Sequence, residues 1–87
     1  MMMENETLAN MFKALAHPMR IKILDLIKDR PMSTGELSKQ FQVTRFAVMK
    51  HIDILEEAGL LVHRKVERTR LNYLNEQEII LLNIYSC

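Results

Sequence analysis

Two clusters of side chains in this sequence have the chemistry to grip a polyanion. The first lies between residues 64 and 70, where Arg64, Lys65, Arg68 and Arg70 are opposed only by Glu67. A basic patch of that density suits phosphate contact. The second runs from Thr44 to Lys50. Arg45 and Lys50 can donate to guanine acceptors or to phosphate. Phe46 and Met49 can pack on thymine methyls, which only the major groove presents. Thr44, with the free N–H groups at a helix start, suits a phosphate.

Covalent chemistry finds no such support. Ser33, Ser38 and Ser86 have no His and Asp at motif spacings, and there is no Gly-rich phosphate loop. No catalytic residue and no cofactor is therefore expected. His17, His51 and His63 fall on three different elements, so no metal site is expected from them. Cys87 is the single cysteine, which excludes a disulfide within one chain.

The elements that must position these groups are marked by periodicity and caps. Leu8, Met11, Phe12 and Leu15 recur at helical spacing, predicting a first helix over residues 5–16. Pro18 suits the first position of a second helix, expected to reach Asp29 with Ile23, Leu24 and Ile27 inward. Ser33 and Glu36 form a capping box for a third, short helix reaching Phe41, with Met32 and Leu37 at the staple positions. Gln42 and Val43 make a turn, and Thr44 caps a fourth helix that runs to Ala58. Val43 and Val48 again stand at staple positions. Gly59 supplies a left-handed end, after which Leu60 folds back on Leu55.

Beyond Gly59 the period changes to 2. Residues 60–66 and 70–74 read as two strands joined by a tight loop at Glu67 and Arg68. Asn75 then opens a last helix, with Glu78 completing a capping box and Leu74 and Ile79 a staple. Val48, Ile52 and Leu55 hold the fourth helix to the core, so Arg45, Phe46, Met49, Lys50 and Asp53 must point outward. The expected fold is mainly α with a small β-hairpin, in the order α-α-α-α-β-β-α. Two helices, a short turn and a hairpin make a winged helix-turn-helix, whose second helix enters the major groove.

With 87 residues the chain is one domain, 1–87, and its core is modest. Twelve Lys plus Arg against eleven Asp plus Glu leave a net charge of +1, so any basic surface must be local. No apolar run approaches the roughly 18 residues of a membrane span. The start, Met1-Met2-Met3-Glu4, lacks the features of a signal peptide, and a cytoplasmic protein is expected. The last helix is apolar nearly all round, through Ile79, Ile80, Leu81, Leu82, Ile84 and Tyr85. Burial inside one small domain uses only part of that surface. A homodimer is therefore expected, through Leu8, Met11 and Phe12 with Ile80, Leu81, Ile84 and Tyr85. Seven methionines suit irregular cores and adhesive interfaces of this kind.

The stretch from Phe12 to Leu24, with Ala16-His17-Pro18-Met19-Arg20 at its centre, resembles the opening of ArsR/SmtB-type repressors. So does Val43-Thr44-Arg45-Phe46-Ala47-Val48-Met49-Lys50-His51-Ile52, continued by Leu55-Glu56-Glu57-Ala58-Gly59-Leu60-Leu61. The resemblance covers Leu8 to Asn75 and implies a dimeric winged-helix repressor of transcription, paired through its terminal helices. It does not imply metal sensing. The cysteine pair that metal-sensing members carry in the third helix is absent near Ser33–Leu37, and residues 76–85 contain no histidine. Three further departures carry expectations. Glu67 replaces a wing-tip glycine, predicting a looser turn. Gln42 replaces a glycine, at a cost of about 1 kcal/mol if left-handed. His17 replaces a capping aspartate, predicting a weaker helix start. Partners expected from all this are double-stranded DNA and a second copy, together with an inducer or partner protein of unknown identity. The alternative is a winged-helix module whose fourth helix presents Phe46 and Met49 to another protein.

Overall fold

In a computed structural model, the backbone is described for residues 2–77 and the side chains for residues 6–77. The expectations placed on Glu78, Ile79, Ile80, Leu81, Leu82, Ile84, Tyr85 and Cys87 lie outside the described residues. Four helices precede a hairpin: α1 (Met2–Ala14), α2 (Pro18–Ile27), α3 (Thr34–Ser38) and α4 (Arg45–Glu57). A two-residue strand, β1 (Met32–Ser33), separates α2 from α3, and β2 (Leu61–Val66) and β3 (Thr69–Leu74) form the hairpin. The sheet is antiparallel in the order β1-β3-β2.

Local chemistry accounts for the boundaries. Pro18 begins α2, and the His17 ring caps it: Met19 N–H donates to His17 Nδ1 at 3.2 Å. The imidazole does the work expected of an aspartate, so this helix start is not left open. Arg20 Nε donates to Ala14 O at 2.6 Å, satisfying a carbonyl at the end of α1. At α3 the capping box is complete. Glu36 N–H donates to Ser33 Oγ, and Ser33 N–H donates to Glu36 Oε1, both at 3.0 Å. That second bond, with Arg30 beside it, holds the Glu36 carboxyl below its usual range.

The third helix is shorter than its sequence suggested. It ends at Ser38, because Gln40 and Phe41 donate to Leu37 and Ser38 in tighter i→i+3 turns. The turn before α4 is correspondingly longer. Gln42 does not enter the left-handed region there, so the expected glycine cost does not arise. Val43, expected to close over Val48, stays 45% exposed. At the far end of α4 a Schellman cap forms as expected: Gly59 (φ 83°) donates to Glu56 O and Leu60 donates to Leu55 O, each at 3.0 Å.

The core gathers residues from every helix: Met11 and Ala14, Ile23 and Ile27, Leu37, then Val48, Ile52 and Leu55, with Leu60 and Leu61 from the hairpin's entry. Leu8 and Met11 belong to it, and Met11 is wholly enclosed. Both were expected at a dimer interface. That assignment is corrected, because the α1 stripe turns into its own domain and leaves only Phe12 substantially exposed, at 46%.

The hairpin turn is the tight loop at Glu67 and Arg68 that the strand pattern predicts, and not the looser one that the missing glycine implies. Val66 pairs with Thr69, leaving Glu67 and Arg68 as a two-residue loop. Glu67 takes φ 58° to allow it, a conformation costing a non-glycine residue roughly 1–2 kcal/mol. Part of that cost is recovered in Glu67→Gly, offset by the greater freedom of the unfolded chain. We expect a stabilisation of about 0.5–1 kcal/mol in denaturant unfolding. No gain, or a loss, would show that the Glu67 side chain stabilises the turn by a contact of its own.

Candidate nucleic-acid interface

One side of α4 is fixed and the other is free. Val48, Ile52 and Leu55 are fully buried, which turns Arg45, Phe46, Lys50 and Asp53 to solvent. Phe46 is 69% exposed, and Lys50 Nζ stands 5.2 Å from its ring centroid, a cation–π pair on the outer surface. Thr44 caps the helix, its Oγ1 accepting from Ala47 N–H at 3.1 Å, and stays exposed. Met49 departs from the expectation. It is half-buried against the core instead of pointing outward, and it lines the groove between α3 and the hairpin turn.

The wing cations do not form one patch. Side chains alternate across a strand, and Arg64 pairs with Leu71 while Lys65 pairs with Arg70. Arg64 therefore shares a sheet face with Tyr73, its guanidinium 5.8 Å from the ring centroid. Lys65 and Arg70 take the opposite face. Arg70 is mostly enclosed and committed: it donates to Glu56 Oε1 at 2.5 Å and stands 3.6 Å from Asp53 Oδ1. His63 Nδ1 lies 2.6 Å from the other oxygen of Glu56. Arg70 was expected on a phosphate, yet its guanidinium is already paired with the acidic edge of α4. Arg68, at the turn, is exposed with no such partner among the described residues.

Several positioning residues were missed in the sequence. Asn72 is wholly buried, and its Nδ2 donates to Met32 O and Thr34 Oγ1, each at 3.2 Å. It thereby pins β3 to β1 and to the first residue of α3. Asn75 Nδ2 donates to Gly59 O at 2.8 Å, joining the exit of the wing to the end of α4. The alternation Arg70, Asn72, Leu74 on one face was the available signal. His17 and His51, assigned to separate elements, meet with ring centroids 4.4 Å apart. Burial, with His17 and Arg20 nearby, holds the His51 imidazole below its ordinary pKa.

A groove of about 360 Å³ opens between the start of α3, the start of α4 and the hairpin turn. Arg45, Arg68 and Arg70 all reach it, together with Thr34, Gly35 and Thr69. No carboxylate lines it. Recognition helix face, wing and this groove share one side of the molecule through Arg45 and Arg68.

Comparison with known proteins identifies the family of the chain. The family profile described as a helix-turn-helix domain matches residues 15–64, more than half of the chain. The chain is 39% identical over 57 residues to the transcriptional repressor SdpR of Bacillus subtilis, covering 64% of this chain and 63% of that protein. It is 32% identical over 69 residues to the transcriptional activator HlyU of Vibrio cholerae, covering 79% and 64%. The matches thus span just under two thirds of these relatives' length. Among solved structures, an ArsR family transcriptional regulator superposes with a TM-score of 0.85 at 30% identity, over 93% of this chain and 84% of its own.

The different settings of the two wing arginines make a stability test. Arg70→Ala leaves the partly enclosed Glu56 with only His63 beside it and should cost about 1–2 kcal/mol in denaturant unfolding, discounted for its solvent access. Arg68→Ala should stay within about 0.5 kcal/mol of the parent. Equal effects of the two substitutions would contradict the separation of their roles.

Proposed function

As the chain belongs to the helix-turn-helix domain family, among the ArsR/SmtB-type winged regulators, we propose that it is a cytoplasmic transcriptional repressor that binds an inverted repeat in duplex DNA as a homodimer. The carrying observation is the free face of α4, where Phe46 and Lys50 project beside Arg45, with Arg68 of the wing on the same side. Residues on the first turns of such a helix reach base edges in the major groove. Thr44, Lys65 and Arg68 supply phosphate contacts, and Met49 and Arg70 hold the surface in place. Residues 1–87 act as one domain with dimerising ends.

The protomer leaves several apolar side chains uncovered. Phe12 on α1 is half exposed, and so are Ile21 on α2 and Ile54 on α4. Phe12, joined by Ile80, Leu81, Ile84 and Tyr85, makes a two-fold interface that sets two α4 helices about one DNA turn apart, on the order of 34–36 Å. Repression follows from occupancy of the site. No metal ion is required, since such a site needs three or four N, S or carboxylate donors. Among the described residues no three such side chains are gathered.

A second reading draws on the exposed Phe46 and Val43, which suit an apolar protein partner. Salt separates the two. Fluorescence anisotropy with an operator duplex should weaken steeply between low and moderate salt, whereas an apolar interface hardly responds. Lys50→Ala should cost about 1–3 kcal/mol on the operator and relax preference at one base pair. Light scattering on the same samples should give a dimer. A monomer that binds a half-site tightly would overturn the dimer, and salt-insensitive association would favour the protein partner.

Zn(II), Cd(II) and As(III) just above the protein concentration should leave operator affinity unchanged in the same assay. Chelator-reversible, stoichiometric release of DNA by any of them would refute metal independence.

A further inference from the structure

Arg45 stands on the recognition helix but does not point where Lys50 points. A Cβ placed on Gly35 would lie 3.9 and 4.0 Å from its two terminal guanidinium nitrogens. The guanidinium therefore rests over the first turn of α3, at the mouth of the groove between α3, α4 and the hairpin turn. Arg68 enters the same groove from the wing. Resting on the DNA-binding reading above, we infer that this groove is a clamp for one backbone phosphate of the duplex, with Arg45 and Arg68 as its two cations.

Three observations support the clamp. The first is charge. Arg45, Arg68 and Arg70 all line the groove with no carboxylate beside them, and of the three only Arg70 is ion-paired, with Glu56 and Asp53. Two unpaired cations lining one groove make its potential positive, and an anion seated there is attracted by both. The second is a fixed wall. Thr34 lines the groove at only 3% exposure, and its Oγ1 accepts from the buried Asn72 Nδ2 at 3.2 Å, which ties that wall to β3. The third is donor geometry, because guanidinium forks match phosphate oxygens in pairs. Arg45 is thereby assigned to the DNA backbone, and base edges fall to Phe46 and Lys50.

The assignment is tested by replacing operator phosphates one at a time with neutral methylphosphonate linkages. Wild-type protein should lose about tenfold in affinity at one position per half-site. The same position should be silent in Arg45→Ala and in Arg68→Ala. Arg45→Ala should weaken operator and generic duplex by one common factor and lower the salt slope by about one. Arg45→Lys, which keeps the charge and loses the fork, should fall between. The double variant should lose less than the product of the single losses, since both side chains hold one phosphate. Inorganic phosphate at matched ionic strength should compete no better than sulfate.

Contrary outcomes are distinct. Loss of preference at one base pair in Arg45→Ala, with an unchanged salt slope, would make Arg45 a base reader and overturn the clamp. Silencing at two different phosphates, or a double variant that equals the product, would do so as well. Selective displacement of DNA by inorganic phosphate would make the groove a free-anion site instead. In each of these the wild-type protein still binds DNA, so the functional reading survives. If it does not bind, both fall together.

Discussion

A two-stranded hairpin is marginal in water, and here it must hold a fixed place beside a recognition helix. Leu60 and Leu61 anchor the hairpin's entry in the core, and the Arg70–Glu56 ion pair ties its turn end to the last turn of α4. Asp53 and His63 extend it along the same seam. In the middle of β3, Asn72 reaches β1 and α3. Just past its far end, Asn75 reaches the Schellman glycine that ends α4. The hairpin is thus held at three points along β3, two of them on α4 and its cap and one on β1 and α3. The proposed DNA-binding surface needs helix and hairpin backbones at a fixed separation, and these contacts supply that.

The same seam sorts the basic residues by what they are free to do. Arg70 has its guanidinium paired, Arg64 lies over Tyr73 on the far sheet face, and Arg30 pairs with Glu36 at 3.1 Å. Arg45 and Arg68 have no carboxylate in the groove they share. Exposure alone would rank these side chains differently, because Arg30 is as open as a surface arginine usually is. Pairing is the better guide, since an ion pair must be broken before its cation serves another anion.

Short-range chemistry was largely legible in the sequence. Caps and the helix-ending glycine act within a few residues of themselves, so Ser33 with Glu36, Thr44 and Gly59 could be read directly, whereas the staple expected of Val43 did not close. The inward faces of α2 and α4 were legible for the same reason, as one helical period repeated. Long-range pairings were not. Nothing within two strand residues announces β1, which exists because β3 offers it an edge. Arg70 looked like the other wing cations until the fold set Glu56, fourteen residues earlier, beside it. Leu8 and Met11 showed an apolar stripe, but a stripe does not say whether its own domain or a second copy covers it. The site was therefore legible as a surface and illegible as an allocation of roles.

A near-neutral chain can present a cationic face because its acids are spent elsewhere. Asp25 pairs with Lys28 at 2.8 Å, Glu36 with Arg30, and Glu56 with Arg70 and His63. Each pair cancels on the spot and adds little to the field a few residues away, where solvent and salt screen it within about 8–10 Å. On the proposed surface a phosphate would meet the local remainder: Arg45, Lys50, Lys65 and Arg68, with Asp53 drawn toward Arg70 and Glu67 at the turn. Net charge describes the molecule from far away, whereas counterion release is set by the cations actually in contact. The formal charge of +1 and a phosphate-binding surface are therefore compatible.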